Sequence, residues 1–209
     1  MAMKLEGKKL YHIYNRGINR QMLFYDKEYY LVFLKKIKRY IAPHCDLLAY
    51  CLMPNHFHLL VQANEKTFIP FRKEDSLTEN DGASSIRMNC FSHGMKMLLS
   101  SYTKIINKRN KRSGSLFRQN THSKQTSDES LAEDYSVWCF IYIHNNPVAS
   151  GLVATPEDWT FSSYSEYFGN VEHPICNVEL GRKLLSLDLN EMPLRTVRGV
   201  PDHIKSKIL

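Results

Sequence analysis

Two histidines one residue apart, His56 and His58, sit in the run LMPNHFHLLV (52–61), which is nearly all apolar after its Pro-Asn pair. A half-buried imidazole in such a run needs a hydrogen-bond partner, a proton or a metal ion. Side chains two apart on a strand share a face, so His56, His58 and Leu60 would point one way and Phe57, Leu59 and Val61 the other. Strand geometry sets the two Cβ atoms about 7 Å apart, close enough for both rings to converge on one cation. Two histidines alone rarely hold a metal, so a third protein ligand or a substrate oxygen must complete the set. Taken alone, such a pair reads as satisfied core or surface histidines ahead of a metal site; the adjoining apolar run and the basic context bring the two readings level.

The elements that must position this pair are legible in outline. KLYHIYN (9–15) reads as a strand stopped by Arg16-Gly17. Asp26 caps a helix over about 27–42, with Tyr30, Leu34, Ile37 and Ile41 on its apolar face. DLLAYCLM (46–53) makes a second strand, which Pro54-Asn55 turns into a third at about 56–62. Residues 64–85 are polar and aperiodic and read as a mobile loop. A long helix is expected over about 86–110, with Phe91, Met95, Leu98, Tyr102 and Ile105 as its stripe. SGSLFRQNTH (113–122) reads as a short strand or extended loop, and SDESLAED supplies first-turn acids for a helix over about 129–145. Pro147 is expected to end or bend that helix. NVELGRKLLSL (177–187) suggests one more helix, and the tail after Pro193 reads as peripheral. Strands interleaved with helices in this order imply an α+β fold, an antiparallel sheet with helices packed on it.

Composition narrows the function. The 209 residues, 43% of them hydrophobic, suit one globular domain with an appended tail. No 18-residue apolar stretch occurs and the N-terminus lacks the pattern of a signal peptide, so a soluble cytoplasmic protein without a membrane partner is expected. Five cysteines without a CxxC pair argue against a disulfide framework or a zinc knuckle. The net charge of +7 is concentrated: from Gly82 to Ser127 there is no Asp or Glu, while nine Lys and Arg fall there. Such a one-signed stretch attracts polyanions by counterion release, nucleic acid above all; a merely solvated basic face is the plain alternative.

One further stretch, CFIYIHNNPVASGLV (139–153), changes the balance. Together with YHIYNRG (11–17), the His-Phe-His triplet at 56–58 and DWTFSSY (158–164), it resembles in order and spacing the HUH-superfamily single-tyrosine transposases. The REP-associated tyrosine transposases and their insertion-sequence relatives are the nearest in kind. The resemblance spans about residues 9–168, which it marks as a catalytic domain, with 169–209 as a partly helical, mildly basic C-terminal extension. It implies the HUH-endonuclease, ferredoxin-like sandwich. It also implies a metal-dependent enzyme that nicks and transfers single-stranded or hairpin DNA through a 5′-phosphotyrosine. Carried over by motif, Tyr142 is the nucleophile and Asn146 joins His56 and His58 as third metal ligand. Ligand softness suits Mn or Zn, but phosphate oxygens and waters suit Mg, which the resemblance favours, with Mn second.

Helix geometry agrees with these positions. Four residues advance roughly 400°, stacking Tyr142 and Asn146, whereas His144 is turned about 200° away. Leu131, Tyr135 and Trp138 precede Tyr142 on one apolar stripe, so a core role for that tyrosine remains the alternative. For DNA contacts, Lys108, Arg109, Lys111 and Arg112 come first, then Arg16 and Arg118. Asn120, Thr121 and His122 stand where many relatives place more basic or aromatic residues. Two rival functions stay open: a non-catalytic relative that binds DNA or RNA hairpins, and a metal-dependent hydrolase of small phosphoesters. Monomer and homodimer are equally compatible with the sequence.

Overall fold

The protein is described by a computed structural model covering residues 3–71, 88–127, 135–188 and 190–208. Strand β1 is Leu10–Arg16, helix α1 Lys27–Tyr40, β2 Asp46–Met53, β3 His56–Gln62, α2 Cys90–Arg109 and β4 His122–Gln125. The strands form one antiparallel sheet in the order β2-β3-β1-β4. This is the βαββαβ arrangement of a ferredoxin-like sandwich, as expected. A further helix, α3 (Tyr135–Ala149), is followed by α4 (Tyr164–Phe168), α5 (Val178–Leu184), α6 (Met192–Arg198) and α7 (Asp202–Ile208). Among the described residues no helix is long and apolar enough to cross a membrane.

Local chemistry accounts for the boundaries. The Asp26 carboxylate accepts the Glu28 N–H at the start of α1, and Asn89 accepts the Ser92 N–H at the start of α2. These helices bury Phe33, Ile37, Leu98 and Tyr102 against the sheet face that carries Phe57. Gly94 lets them cross closely, because a Cβ there would collide with the Tyr40 carbonyl. Ile106, rather than Ile105, turns inward at the end of α2. The expected loop over 64–85 lies mostly outside the described residues, as does the acid-rich start expected for α3.

Three expectations are corrected. The edge strand comes later than the segment SGSLFRQNTH suggested: 115–121 run irregularly alongside β1, tied by Arg118 N–H to Arg16 carbonyl, before pairing begins at His122. Pro147 does not end the helix; α3 continues through it to Ala149. A proline this near the C-terminus costs a single intrahelical bond, and the chain then leaves the helix through Gly151 at φ +68°. The tail is not peripheral: Met192, Thr196, Val200 and Ile204 are buried, and the Asn145 amide donates to the Thr196 carbonyl at 2.6 Å. So α6 and α7 back the helix that carries Tyr142.

DWTFSSY closes the remaining sheet edge. Leu52 N–H donates to Phe161 O, Ser163 N–H donates to Tyr50 O, and Trp159 Nε1 donates to Leu52 O. The free edge of β2 is thereby covered without a further strand.

Candidate active site

The antiparallel register fixes what surrounds the histidine pair. His56 lies opposite Arg16 on β1 and Met53 on β2, and His58 opposite Tyr14 and Cys51. Because alternate residues share a face, His12, Tyr14 and Arg16 of β1 join His56 and His58, with His122 alongside at the sheet edge. Helix α3 crosses this face and brings the half-buried Tyr142 ring to 5.4 Å from His58, edge to face. Tyr142, His56 and His58 line one cleft of about 580 Å³ with Tyr14, Arg16 and Arg118. The tyrosine therefore faces the histidines within a single chain, while also packing on the core.

Each histidine is oriented through its Nδ1. His56 Nδ1 lies 2.6 Å from Asn55 Oδ1; a carbonyl oxygen accepts, so the ring proton sits at Nδ1 and the lone pair at Nε2. His58 is only 3% exposed, and its Nδ1 lies 2.8 Å from His12 Nε2, while its own Nε2 is buried with no partner. A buried ring nitrogen aimed at neighbours that include a second open imidazole fits a cation. Burial, reinforced by the Arg16 charge, lowers the His56 pKa to about 4. Burial together with His12 and His56 holds His58 well below its ordinary value. Both rings are thus neutral at neutral pH, the form in which imidazole ligates metal.

Asn146 lies one turn beyond Tyr142, buried, with its Nδ2 unpartnered. The two ends of an amide are nearly isosteric, so a half-turn of the side chain would put an oxygen at that unpaired position. Burial raises the Tyr142 pKa, and the Asn146 amide offsets part of that rise. His144, by contrast, is fully buried against Ser163 Oγ at 2.8 Å, on the far side of α3 from the cleft. Among the described residues no cluster of three His, Cys, Asp or Glu side chains could hold a metal. A metal set here would need the amide.

The expected DNA contacts divide into two groups. Arg16 and Arg118 line the cleft. Lys108, Arg109, Lys111 and Arg112 stand at the C-terminal end of α2 and line no part of it. There Arg109 pairs with Glu28 at 2.6 Å and lies over the Tyr29 ring, and Arg112 donates to the Ser115 carbonyl. Sequence reasoning missed Arg20, His12, His122 and Asn15. Arg20 reaches the cleft through a left-handed backbone just after Gly17. Asn15 also lines the cleft, and its amide donates to Arg118 O and Thr121 Oγ1 and so pins the 118–121 segment beside β1. The alternation His12-Tyr14-Arg16 was the available signal, but only the β1–β3 pairing gives it meaning.

No protein-family model matches the chain, and no curated protein matches it. The four-stranded antiparallel sheet with helices packed on it is a fold that this chain shares with a solved tyrosine transposase. In particular, the chain is similar to the solved structure of a REP-associated tyrosine transposase bound to a REP hairpin. The TM-score is 0.54 at 17% identity, covering 84% of this chain and 88% of that one. A bacterial tRNA(His) guanylyltransferase-like protein in complex with GTP aligns with a TM-score of 0.38 at 10% identity over 71% of this chain and 70% of that one.

Proposed function

We propose that the chain is a metal-dependent transposase-type enzyme that nicks and rejoins single-stranded or hairpin DNA through Tyr142. The observation that supports this most is the approach of the Tyr142 ring to 5.4 Å from His58 in a cleft shared with His56 and three arginines. His56, His58 and Asn146 would hold a divalent cation, Mg first and Mn second; when bound it supplies charge neutralisation at the scissile phosphate. Arg16, Arg20 and Arg118 draw the DNA backbone into the cleft and balance its charge. Lys108, Arg109, Lys111 and Arg112 extend that attraction at long range from the end of α2.

Burial keeps the Tyr142 phenol protonated before substrate arrives. As its oxygen attacks phosphorus, the phenolic proton leaves and the 3′-oxygen departs as a hydroxyl, so a 5′-phosphotyrosyl bond replaces the phosphodiester. That ester retains the energy of the original bond, and a second 3′-hydroxyl reverses the step without ATP. Residues 1–168 form the catalytic unit in this proposal, and 169–209 an extension that braces α3. The enzyme works in the cytoplasm, as a monomer or with its site complete in each copy of a dimer.

The test is adduct formation. Wild-type protein, incubated with a library of single-stranded hairpins in Mg or Mn, should give a covalent species resistant to denaturation, and Tyr142→Phe should give none. Absence of any adduct with folded wild-type protein, or its persistence in Tyr142→Phe, overturns the assignment. Metal-independent hairpin binding without a product would favour the non-catalytic alternative.

A further inference from the structure

Nicking and rejoining through a phenol need a group in the cleft that takes the Tyr142 proton and gives one to the departing 3′-oxygen. Chemistry leaves one such group. No Asp or Glu lines the cleft. Arg16, Arg20 and Arg118 are permanent cations, and the amides of Asn15 and Asn55 are not bases. His56 and His58 have Nδ1 engaged, and their Nε2 atoms are the ones assigned to the cation. His12 is buried with its Nε2 on His58. Burial raises the Tyr14 pKa, against the Arg16 charge, and keeps that phenol protonated.

What remains is His122. Register sets it opposite Tyr14 at the start of β4, on the cleft face. Its ring is exposed and lies flat on the Tyr14 ring, with centroids 4.9 Å apart and planes at 12°. Among the described residues no hydrogen bond engages its ring nitrogens. Two short steps, 5.9 Å from the Tyr14 ring to His58 and 5.4 Å from His58 to Tyr142, separate this stacked pair from the nucleophile across the open cleft. Tyr14 and Arg16 of β1, Lys124 on its own strand, Arg118 and Tyr142 are the charged or titratable groups on its side of the sheet, with no carboxylate among them.

We propose that His122 is the acid–base group of this cleft, exchanging a proton with the Tyr142 hydroxyl through one water while Tyr14 holds its ring plane. The inference rests on the reading of Tyr142 as nucleophile. As the Tyr142 oxygen bonds to phosphorus, its proton passes to neutral His122. As the bond from phosphorus to the 3′-oxygen breaks, the imidazolium returns that proton to the oxygen. Rejoining runs the same transfers backwards, so one imidazole serves both directions and no proton is gained or lost. Imidazole is the side chain suited to giving and taking a proton near neutral pH.

The test is the single-turnover rate of adduct formation at saturating hairpin and manganese, with hairpin affinity measured separately. His122→Phe keeps a ring on Tyr14 and removes the base, so the rate should fall about 100-fold or more while hairpin affinity stays level. His122→Ala should fall as far and recover in part when free imidazole is added. The wild-type rate should climb from about pH 5.5 and level off by about pH 8, whereas both variants should climb through that range without levelling, because solvent takes the proton. The proposal is overturned if His122→Phe keeps the wild-type rate, if its loss appears in hairpin affinity alone, or if imidazole leaves His122→Ala unmoved. A wild-type protein that forms no Tyr142 adduct at any pH removes the activity and this role together; an adduct whose rate ignores His122 removes only the role.

Discussion

The substitution His12→Phe tests the proposed metal site through the group that would orient it. His12 is fully buried on β1, and its Nε2 is 2.8 Å from His58 Nδ1. For His58 to offer a lone pair at Nε2, its proton must sit at Nδ1 and be donated to His12. Phenylalanine keeps a ring of similar size there and removes the acceptor. His58 Nδ1 is then left unsatisfied, at a cost of about 1–3 kcal/mol. Loss of an orienting partner typically weakens metal binding about 10- to 100-fold. With manganese at 100 times the wild-type dissociation constant, binding stabilises the fold by about 2.7 kcal/mol; a 30-fold weaker site leaves about 0.9. At about 2–4 °C per kcal/mol for a chain of this size, the manganese-induced rise in Tm should shrink by roughly 4–8 °C. Calorimetric titration with manganese gives the affinity directly, and thermal unfolding with and without the ion gives the shift. A His12→Phe protein that is less stable yet binds manganese with wild-type affinity would refute the orienting role, leaving His12 a packing residue.

Three other outcomes are expected. Asn146→Asp puts a negative charge where the third ligand is assigned, so calorimetry should show tighter manganese binding; an unchanged affinity removes Asn146 from the site. His56 and His144 have folded pKa values lowered to about 4 and about 3, and His58 lies well below its ordinary value, all three chiefly through burial. Below about 6.5 the unfolded chain binds protons that the folded one refuses, so stability should fall as pH drops from about 6.5 toward 4, while metal affinity holds nearly level from pH 7 to 5. Urea unfolding and manganese titration across that range check both halves, and metal affinity that halves by pH 6.5 would mean the rings are not desolvated. Asn145→Ala strands the Thr196 carbonyl and should cost about 1–3 kcal/mol in urea unfolding; no loss would mean α6 does not brace α3 through this bond.

The fold was legible where period and turn chemistry agreed. The strands at 46–53 and 56–62 and the Pro-Asn turn between them appear with those bounds because two short, nearly continuous apolar runs around a two-residue turn specify one hairpin. The edge strand was misplaced because LFRQNTHSK has no clean alternation: Leu116 and Phe117 are buried by contact with the α2 side, while 122–125 pair with β1 almost entirely exposed. The tail was underrated because its helices are only seven residues each, too short for a periodic signal, and their apolar residues acquire meaning only against α3.

The site shows the same division in sharper form. Tyr142 was open to a catalytic or a core reading, and α3 reconciles them, since one helix face both packs on the sheet and carries the phenol to the histidines. Helical spacing turned His144 away from Tyr142, and His144 packs on Ser163, because 3.6 residues per turn is a local property. What spacing could not supply was the pairing of β1 with β3. His12 lies 46 residues from His58 in the chain, yet register brings them into one hydrogen bond, and the same register sets Arg16 opposite His56. The proposed metal ligands belong to two short motifs, on β3 and α3, and are readable as such. The groups that orient them come from a neighbouring strand and become visible only when the sheet is assembled.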